Sequence, residues 1–175
     1  MSGNGAGDGS GARNVTNIVF AGLGGQGVIK ASDILADAAL RAGFDVKKAE
    51  VHGMSQRGGS VTSDVRFGRK VLSPMVPRGE AEFLVVLAPS EVEVTRPLLR
   101  AGGVLLSPDL VPEASLPNKR SLNVALLGAL SPYLDIPVEA FLDAIRAALP
   151  EKLRLVNERA FELGRTLAAP QVKMR

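Results

Sequence analysis

Two stretches carry residue types and spacings from which a binding site could be built. In AGLGGQGVIKASDIL, residues 21–35, Gly22, Gly24 and Gly27 satisfy the spacing Gly-x-Gly-x-x-Gly, with Gly25 among them. Glycines there let a backbone come close to a ligand, and the N-terminus of a following helix presents unpaired N–H groups to an anion. That is the chemistry of diphosphate binding. Glu50 lies 23 residues past Gly27, near where an acid meets a ribose hydroxyl in dinucleotide sites. The same glycines also suit a tight strand–helix crossover in which they serve backbone packing alone. Spacing leaves both readings open.

The second stretch is EVHGMSQRGGSV, residues 50–61, where Arg57 precedes Gly58 and Gly59. A turn with exposed N–H groups beside a guanidinium suits a phosphate or a carboxylate. Its plainer reading is a solvated loop. His52, the single histidine, has no Ser, Asp or Cys partner implied by spacing, so it reads as a strand end rather than a proton shuttle. Met54, Met75 and Met174 read as packing residues rather than cofactor ligands. Asn123 opens an apolar helical stretch that Gly128 interrupts, and Asn157 and Gly164 repeat the pattern further on. A glycine inside a helix costs about 1 kcal/mol relative to alanine, so a second backbone is expected to pack closely there.

The elements that position these stretches follow from periodicity. NIVFAG, 17–22, is a short buried strand, and Val28, Ala31, Ile34, Leu35, Ala38 and Ala39 then recur at helical spacing up to Gly43. Strands are expected at 44–51 and 60–68, the latter alternating Val61, Ser63, Val65 and Phe67 toward a core. Residues 69–77 are expected to return as a hairpin, ended by Pro74 and Pro77. The run 82–89 is apolar throughout, as in a strand covered on both faces. A short helix with Ser90 as N-cap and Gly102 or Gly103 as its stop leads to a strand at 104–109. Three helical stripes follow, within 121–134, 137–150 and 151–167. Alternation without a linker or repeat predicts one three-layer α/β/α Rossmann-like domain at 16–168 on a mixed, mostly parallel sheet. Tails are expected at 1–15, flexible and glycine-rich, and at 169–175.

Composition narrows the chemistry. The 175 residues are 46% apolar and 22% charged, a globular balance with room for a core. Twenty-one basic and 18 acidic residues are spread along the chain to a net charge of +3, which does not mark a nucleic-acid groove. There is no cysteine, so this chain supplies no disulfide, thiolate metal site or iron–sulfur ligation. No apolar run reaches about 20 residues, and residues 1–14 lack the apolar centre of a signal peptide, so a cytoplasmic protein without membrane contact is expected.

Taken together, NIVFAGLGGQGVIKASDILADAALRAG, VKKAEVHGMSQRGGSVTSDVRFG, SLNVALLGAL and VNERAFELG resemble the gamma-type subunit or domain of 2-oxoacid:ferredoxin oxidoreductases, over roughly residues 16–168. The pairing of the Gly-x-Gly-Gly-Gln-Gly loop with Arg-Gly-Gly-Ser is far more specific than either alone. The fuller wording around the second motif is most similar to the branch acting on aryl 2-oxo acids such as indolepyruvate, with phenylglyoxylate enzymes close by. The resemblance implies a multi-subunit enzyme that decarboxylates a 2-oxo acid on thiamine diphosphate with magnesium. Electrons leave through iron–sulfur clusters to ferredoxin or another acceptor, and the acyl group passes to coenzyme A. It implies that the thiamine diphosphate and the clusters belong to partner subunits. GDGSG, 7–11, contains the letters of a diphosphate–magnesium motif but lies in the expected tail. No catalytic residue and no metal ligand are assigned to this chain. Its binding residues are then Gly22, Gly24, Gly25, Gln26, Gly27, Arg57, Gly58, Gly59 and Ser60, meeting coenzyme A or a neighbouring subunit. A free-standing nicotinamide-binding oxidoreductase and a purely structural assembly subunit remain as alternatives. If the first two parallel strands are neighbours, both motifs open on one edge of the sheet.

Overall fold

The computed structural model describes residues 15–53 and 58–173. Five strands form one sheet in the order β2-β3-β1-β4-β5, with β1 at Val15–Leu23, β2 at Asp45–His52, β3 at Ser60–Gly68, β4 at Ala81–Val86 and β5 at Leu99–Leu106. β4 runs parallel to both β1 and β5, whereas β3 is antiparallel to both β1 and β2. Four strands therefore point one way and β3 runs against them. The α/β fold is the one read from the sequence, but β1 and β2 are not neighbours, because β3 is inserted between them.

The helices α1 (Val28–Arg41), α3 (Leu122–Leu130), α4 (Val138–Ala148) and α5 (Glu151–Lys173) build the main core on one face. α1 buries the stripe Val28, Ala31, Ile34, Leu35, Ala38 and Ala39 against Ile18 and Phe20 of β1 and the alternating Val61, Val65 and Phe67 of β3. α3 is buried from Asn123 to Leu130, since its sequence is apolar all round and it lies between the sheet and α5. The other face is thinner. A four-residue helix α2 (Val92–Thr95), flanked by 3-10 turns, covers Val19, Ala21, Leu84 and Val86.

Several local expectations are corrected. Residues 69–77 form no strand, because their backbone groups are taken by side chains of the sheet. The Val71 and Val76 N–H groups donate to the carboxylates of Asp45 and Asp64 at 2.7 and 2.8 Å. Arg66 donates to the carbonyls of Ser73 and Met75 at 2.8 and 3.4 Å. The segment is a strap across the thin face, and β3 has β2 as its hairpin partner. Ser90 lies inside the 3-10 turn before α2 rather than capping it, and β5 begins at Leu99. Gly102, with φ of 72°, sits in a bulge where the β4–β5 register shifts, instead of ending a helix. α5 continues through Pro170 to Lys173, where a tail was expected, since extending a formed helix needs no new nucleus. The expected N-terminal tail, Met54 and Met174 lie outside the described residues.

The glycines flagged inside helices have the predicted cause. A Cβ on Gly128 would run into the Phe161 carbonyl, and one on Gly164 into the Ala125 carbonyl, so α3 and α5 cross backbone to backbone. Gly128→Ala or Gly164→Ala is therefore expected to cost about 1–3 kcal/mol through overpacking, read as a fall of several degrees in Tm; a change within one degree would show that the crossing is loose. Asp64 is 8% exposed, and burial pushes its carboxyl above the usual carboxylate range, partly offset by the Val76 N–H. The folded state thus holds that proton more tightly than the unfolded chain, and stability falls as pH rises through the folded value. Asp64→Asn, which keeps an acceptor for Val76, is expected to be at least as stable as wild type at pH 7, with the difference closing below about pH 4. Asp64→Asn being less stable at pH 7 than at pH 4, relative to wild type, would reverse the sign.

Candidate functional site

The glycine loop is shaped mostly from within. The Leu23 N–H donates to Gln26 Oε1 at 2.7 Å, while the Gln26 N–H donates back to the Leu23 carbonyl at 3.2 Å, so the glutamine side chain closes its own turn. A Cβ on Gly22 would lie 2.9 Å from both Gln26 Oε1 and Val28 Cγ2, which makes this glycine a packing requirement. Gly27 caps α1 in the left-handed region, φ 84°, with the Asn123 side chain directly against it. Gly25, φ 87°, alone has open space where a side chain would go. Gln26 and Gly22 therefore build the loop, and Gly25 and Gly27 line what lies outside it.

The two motifs meet. Gly24 donates to the Gly59 carbonyl at 2.9 Å, and a Cβ on Gly24 would lie in ordinary contact with Gly58, 3.4 Å from its nitrogen. This happens through β3 rather than through adjacent parallel strands: Leu23 pairs with Ser60, so the segment entering β3 arrives at the carboxyl end of β1. Gly53 donates to the Ser60 carbonyl at 2.7 Å, and the Ser60 hydroxyl donates to Glu91 at 2.8 Å. Arg57 lies outside the described residues. Glu50 sits on the edge strand, two strands from the glycine loop, where Lys48 holds its carboxyl below the usual range. That position takes the ribose-binding acid away from the loop. His52 is exposed, with Glu50 at 3.7 Å as its only ionic neighbour among the described residues.

Beside the loop opens a cavity of about 560 Å³, lined among others by Gly25, Gly27, Lys30, Lys119, Arg120 and Asn123. The first-turn N–H groups of α1, from Val28 to Lys30, have no intrahelical acceptors. Three cations stand around this helix end. Lys119 is paired with Glu113 at 2.5 Å and is thereby held more firmly protonated. Lys30 donates to the Ala148 carbonyl at 3.5 Å, and neither it nor Arg120 has an ion-pair partner among the described residues. A helix N-terminus ringed by positive charge favours a phosphate or carboxylate. Sequence reasoning missed Lys30, Lys119 and Arg120, since in the chain they read as a solvated helix face and a short basic loop.

Asn123 joins the two halves of the site. It is 7% exposed, donates to the Gly27 carbonyl at 3.2 Å and accepts from the Val124 N–H at 2.9 Å. The residue that opens α3 thus clamps the cap of α1. Asn123→Ala is expected to cost about 1 kcal/mol. Gly27→Ala is expected to cost more, because a positive φ and the Asn123 contact act together, and part of that cost should vanish in an Asn123→Ala background. Strict additivity in a denaturant-unfolding double-mutant cycle would show that the two residues do not press on each other.

Comparison with known proteins accords with this geometry. The family described as pyruvate ferredoxin/flavodoxin oxidoreductase matches residues 17–117. The chain is similar to the indolepyruvate oxidoreductase subunit IorB of Thermococcus kodakarensis, 36% identical over 85% of this chain and 93% of the relative, and to that of Pyrococcus horikoshii, 34% identical with the same coverage. Among solved structures, the gamma subunit of a keto/oxoacid ferredoxin oxidoreductase from Geobacter sulfurreducens superposes with a TM-score of 0.75 at 27% identity, covering 89% of this chain and 99% of that one. A 2-oxoglutarate:ferredoxin oxidoreductase from Magnetococcus marinus, solved with coenzyme A and succinyl-CoA bound, shares the fold at a TM-score of 0.76 and 21% identity, over 90% of this chain and 32% of that one. The chain belongs to the 2-oxoacid:ferredoxin oxidoreductases, as a gamma-type subunit of such a complex.

Proposed function

We propose that this subunit completes an enzyme that oxidises an aryl 2-oxo acid, of the indolepyruvate type, to its acyl-CoA, and that it holds the anionic end of coenzyme A. In that reaction the bond to the carboxylate breaks and carbon dioxide leaves. A thioester forms with loss of the thiol proton, and two electrons pass to ferredoxin or another acceptor. The observation that carries the role of this chain is the convergence of free first-turn amides of α1, Gly25 and the cations Lys30 and Arg120 on one cavity. The aryl substrate is supported by the names of the two indolepyruvate relatives, which align over 85% of this chain. Binding energy for the coenzyme would come from the backbone N–H groups and Arg120, while Asn123 and Gly27 keep the helix end in place.

The redox groups do not fit this chain. Iron–sulfur clusters need thiolates and there is no cysteine, and no group of three His, Cys, Asp or Glu side chains converges among the described residues. The clusters, and with them thiamine diphosphate and its magnesium, are read as held by partner subunits in the cytoplasm. Leu72, 83% exposed, and Met75 stand on the strap over the thin face of the sheet. An apolar side chain fixed on a rigid loop suits a subunit interface. Met75 is thus a surface residue rather than core packing. A purely structural role is the second reading, favoured by the packing around Gly22 and by the hydrogen bond from the Gly24 N–H to Gly59. The nicotinamide alternative is weakened by the displacement of Glu50 to the far strand.

The isolated chain is expected to fold and show no 2-oxo acid oxidation, while co-expression with a thiamine diphosphate-binding and a cysteine-rich subunit gives an active complex. In that complex Arg120→Ala or Lys30→Ala is expected to raise the KM for coenzyme A about tenfold, since a charge-assisted hydrogen bond is worth roughly 1.5–3 kcal/mol, with the KM for the 2-oxo acid unchanged. Normal coenzyme A dependence in both variants would leave the structural reading, and turnover by the single chain would overturn the division of labour.

A further inference from the structure

One buried acid in the described chain has no role in the reading above. Glu91 is 7% exposed and lies just beyond β4, in the 3-10 turn that leads to α2. Its main chain is pinned on both sides: its N–H donates to the Ala88 carbonyl at 3.0 Å, and its carbonyl accepts the Thr95 hydroxyl at 2.7 Å. The root of this turn is equally fixed, since Leu87 donates to the Ala21 carbonyl at 2.8 Å across the central pair of strands. Glu91 is a short rigid post standing on the middle of the sheet.

The carboxylate at the top of that post makes one side-chain hydrogen bond, from the Ser60 hydroxyl, and has no ion-pair partner among the described residues. Taking a carboxylate out of water is costly, and a buried apolar residue of similar volume is often the more stabilising choice. The acid is poorly suited to strengthening the core, but it is well placed to fix a position. Ser60 is the hinge of the site. Its carbonyl receives Gly53, and the carbonyl just before it, on Gly59, receives the N–H of Gly24 in the glycine loop. Among the described residues, the Gly24–Gly59 hydrogen bond ties this turn to the glycine loop at the end of the β1–β3 pairing, and the hydroxyl contact adds a second hold from outside that ladder.

We propose that Glu91 is a positioning residue: through the Ser60 hydroxyl it holds the Gly58–Gly59–Ser60 turn against the glycine loop and so sets the shape of the crevice beside Gly25. The effect on coenzyme A rests on the function proposed above, whereas the effect on the turn does not. A glutamine at position 91 keeps a carbonyl oxygen for the Ser60 hydroxyl, and an alanine removes it. The hydrogen bond rather than the charge is what the turn requires.

The test uses the assembled complex with Glu91→Gln, Glu91→Ala and Ser60→Ala, read in two ways. Hydrogen–deuterium exchange of peptides covering Gly24 and Gly59, without coenzyme A, reports the turn; steady-state kinetics report the crevice. Glu91→Ala and Ser60→Ala are expected to speed exchange at Gly24 by tenfold or more and to raise the KM for coenzyme A three- to tenfold. In Glu91→Ala the kcat and the KM for the 2-oxo acid should stay within twofold, and Glu91→Gln should behave as wild type. Unchanged exchange in both Glu91→Ala and Ser60→Ala overturns the proposal, and so does a Glu91→Gln variant as impaired as Glu91→Ala. Faster exchange with an unaltered KM for coenzyme A supports the positioning role and instead removes the coenzyme A reading of the crevice. Where Glu91→Ala fails to assemble, Ser60→Ala, which deletes one hydroxyl from an exposed residue, decides the matter.

Discussion

The antiparallel pairing of β3 with β1 is the constraint on which the rest depends. In a doubly wound nucleotide fold the strand beside β1 would run parallel to it, and the loop leading into that strand would open at the opposite end of the sheet. Here β3 runs the other way, so its entry, rather than its exit, sits beside the glycine loop. One backbone hydrogen bond, from Gly24 to the Gly59 carbonyl, then closes the two motifs into a single structure. The Gly58 backbone lies in van der Waals contact with the position a Gly24 side chain would take.

The same insertion makes the two faces of the sheet unequal. Four helices cover one face, and their mutual packing reaches backbone contact where α3 crosses α5. Among the described residues, the other face has α2 and the strap of residues 69–77, and over β2 and β3 the strap is held by polar contacts from Asp45, Asp64 and Arg66. A sheet face covered so thinly, with Leu72 exposed above it, is an arrangement that a subunit of a larger complex can complete.

Electrostatics and backbone geometry act together at the mouth of the site. The N-terminal end of α1 presents donors without acceptors, and the positive side chains that surround it come from two places: Lys30 on α1 itself, and Lys119 and Arg120 in the turn before α3. Asn123 ties those two regions by holding the Gly27 carbonyl. The clamp and the charge therefore arrive on the same element, so a shift of α3 would move both.

Much of this was legible along the chain. The strand–glycine–helix unit, the alternation of Val61, Ser63, Val65 and Phe67, and the tight crossing at Gly128 and Gly164 follow from local periodicity and from the cost of glycine in a helix, which any sequence displays. The paired motifs marked the family. What the chain could not display is which strands become neighbours, because pairing is decided by long-range burial and not by local pattern. The expected strand at 69–77 became a strap for that reason: its hydrogen bonds go to carboxylates and a guanidinium that are distant in sequence. Lys30, Lys119, Arg120 and Glu91 were invisible as site residues on the same ground, since a charge has meaning only beside the groups it faces. The sequence by itself determined the elements, the loop chemistry and the absence of thiolate ligands. Only the tertiary structure decided that β3 would separate β1 from β2, carrying Glu50 away from the glycine loop and bringing Gly59 and Ser60 to it.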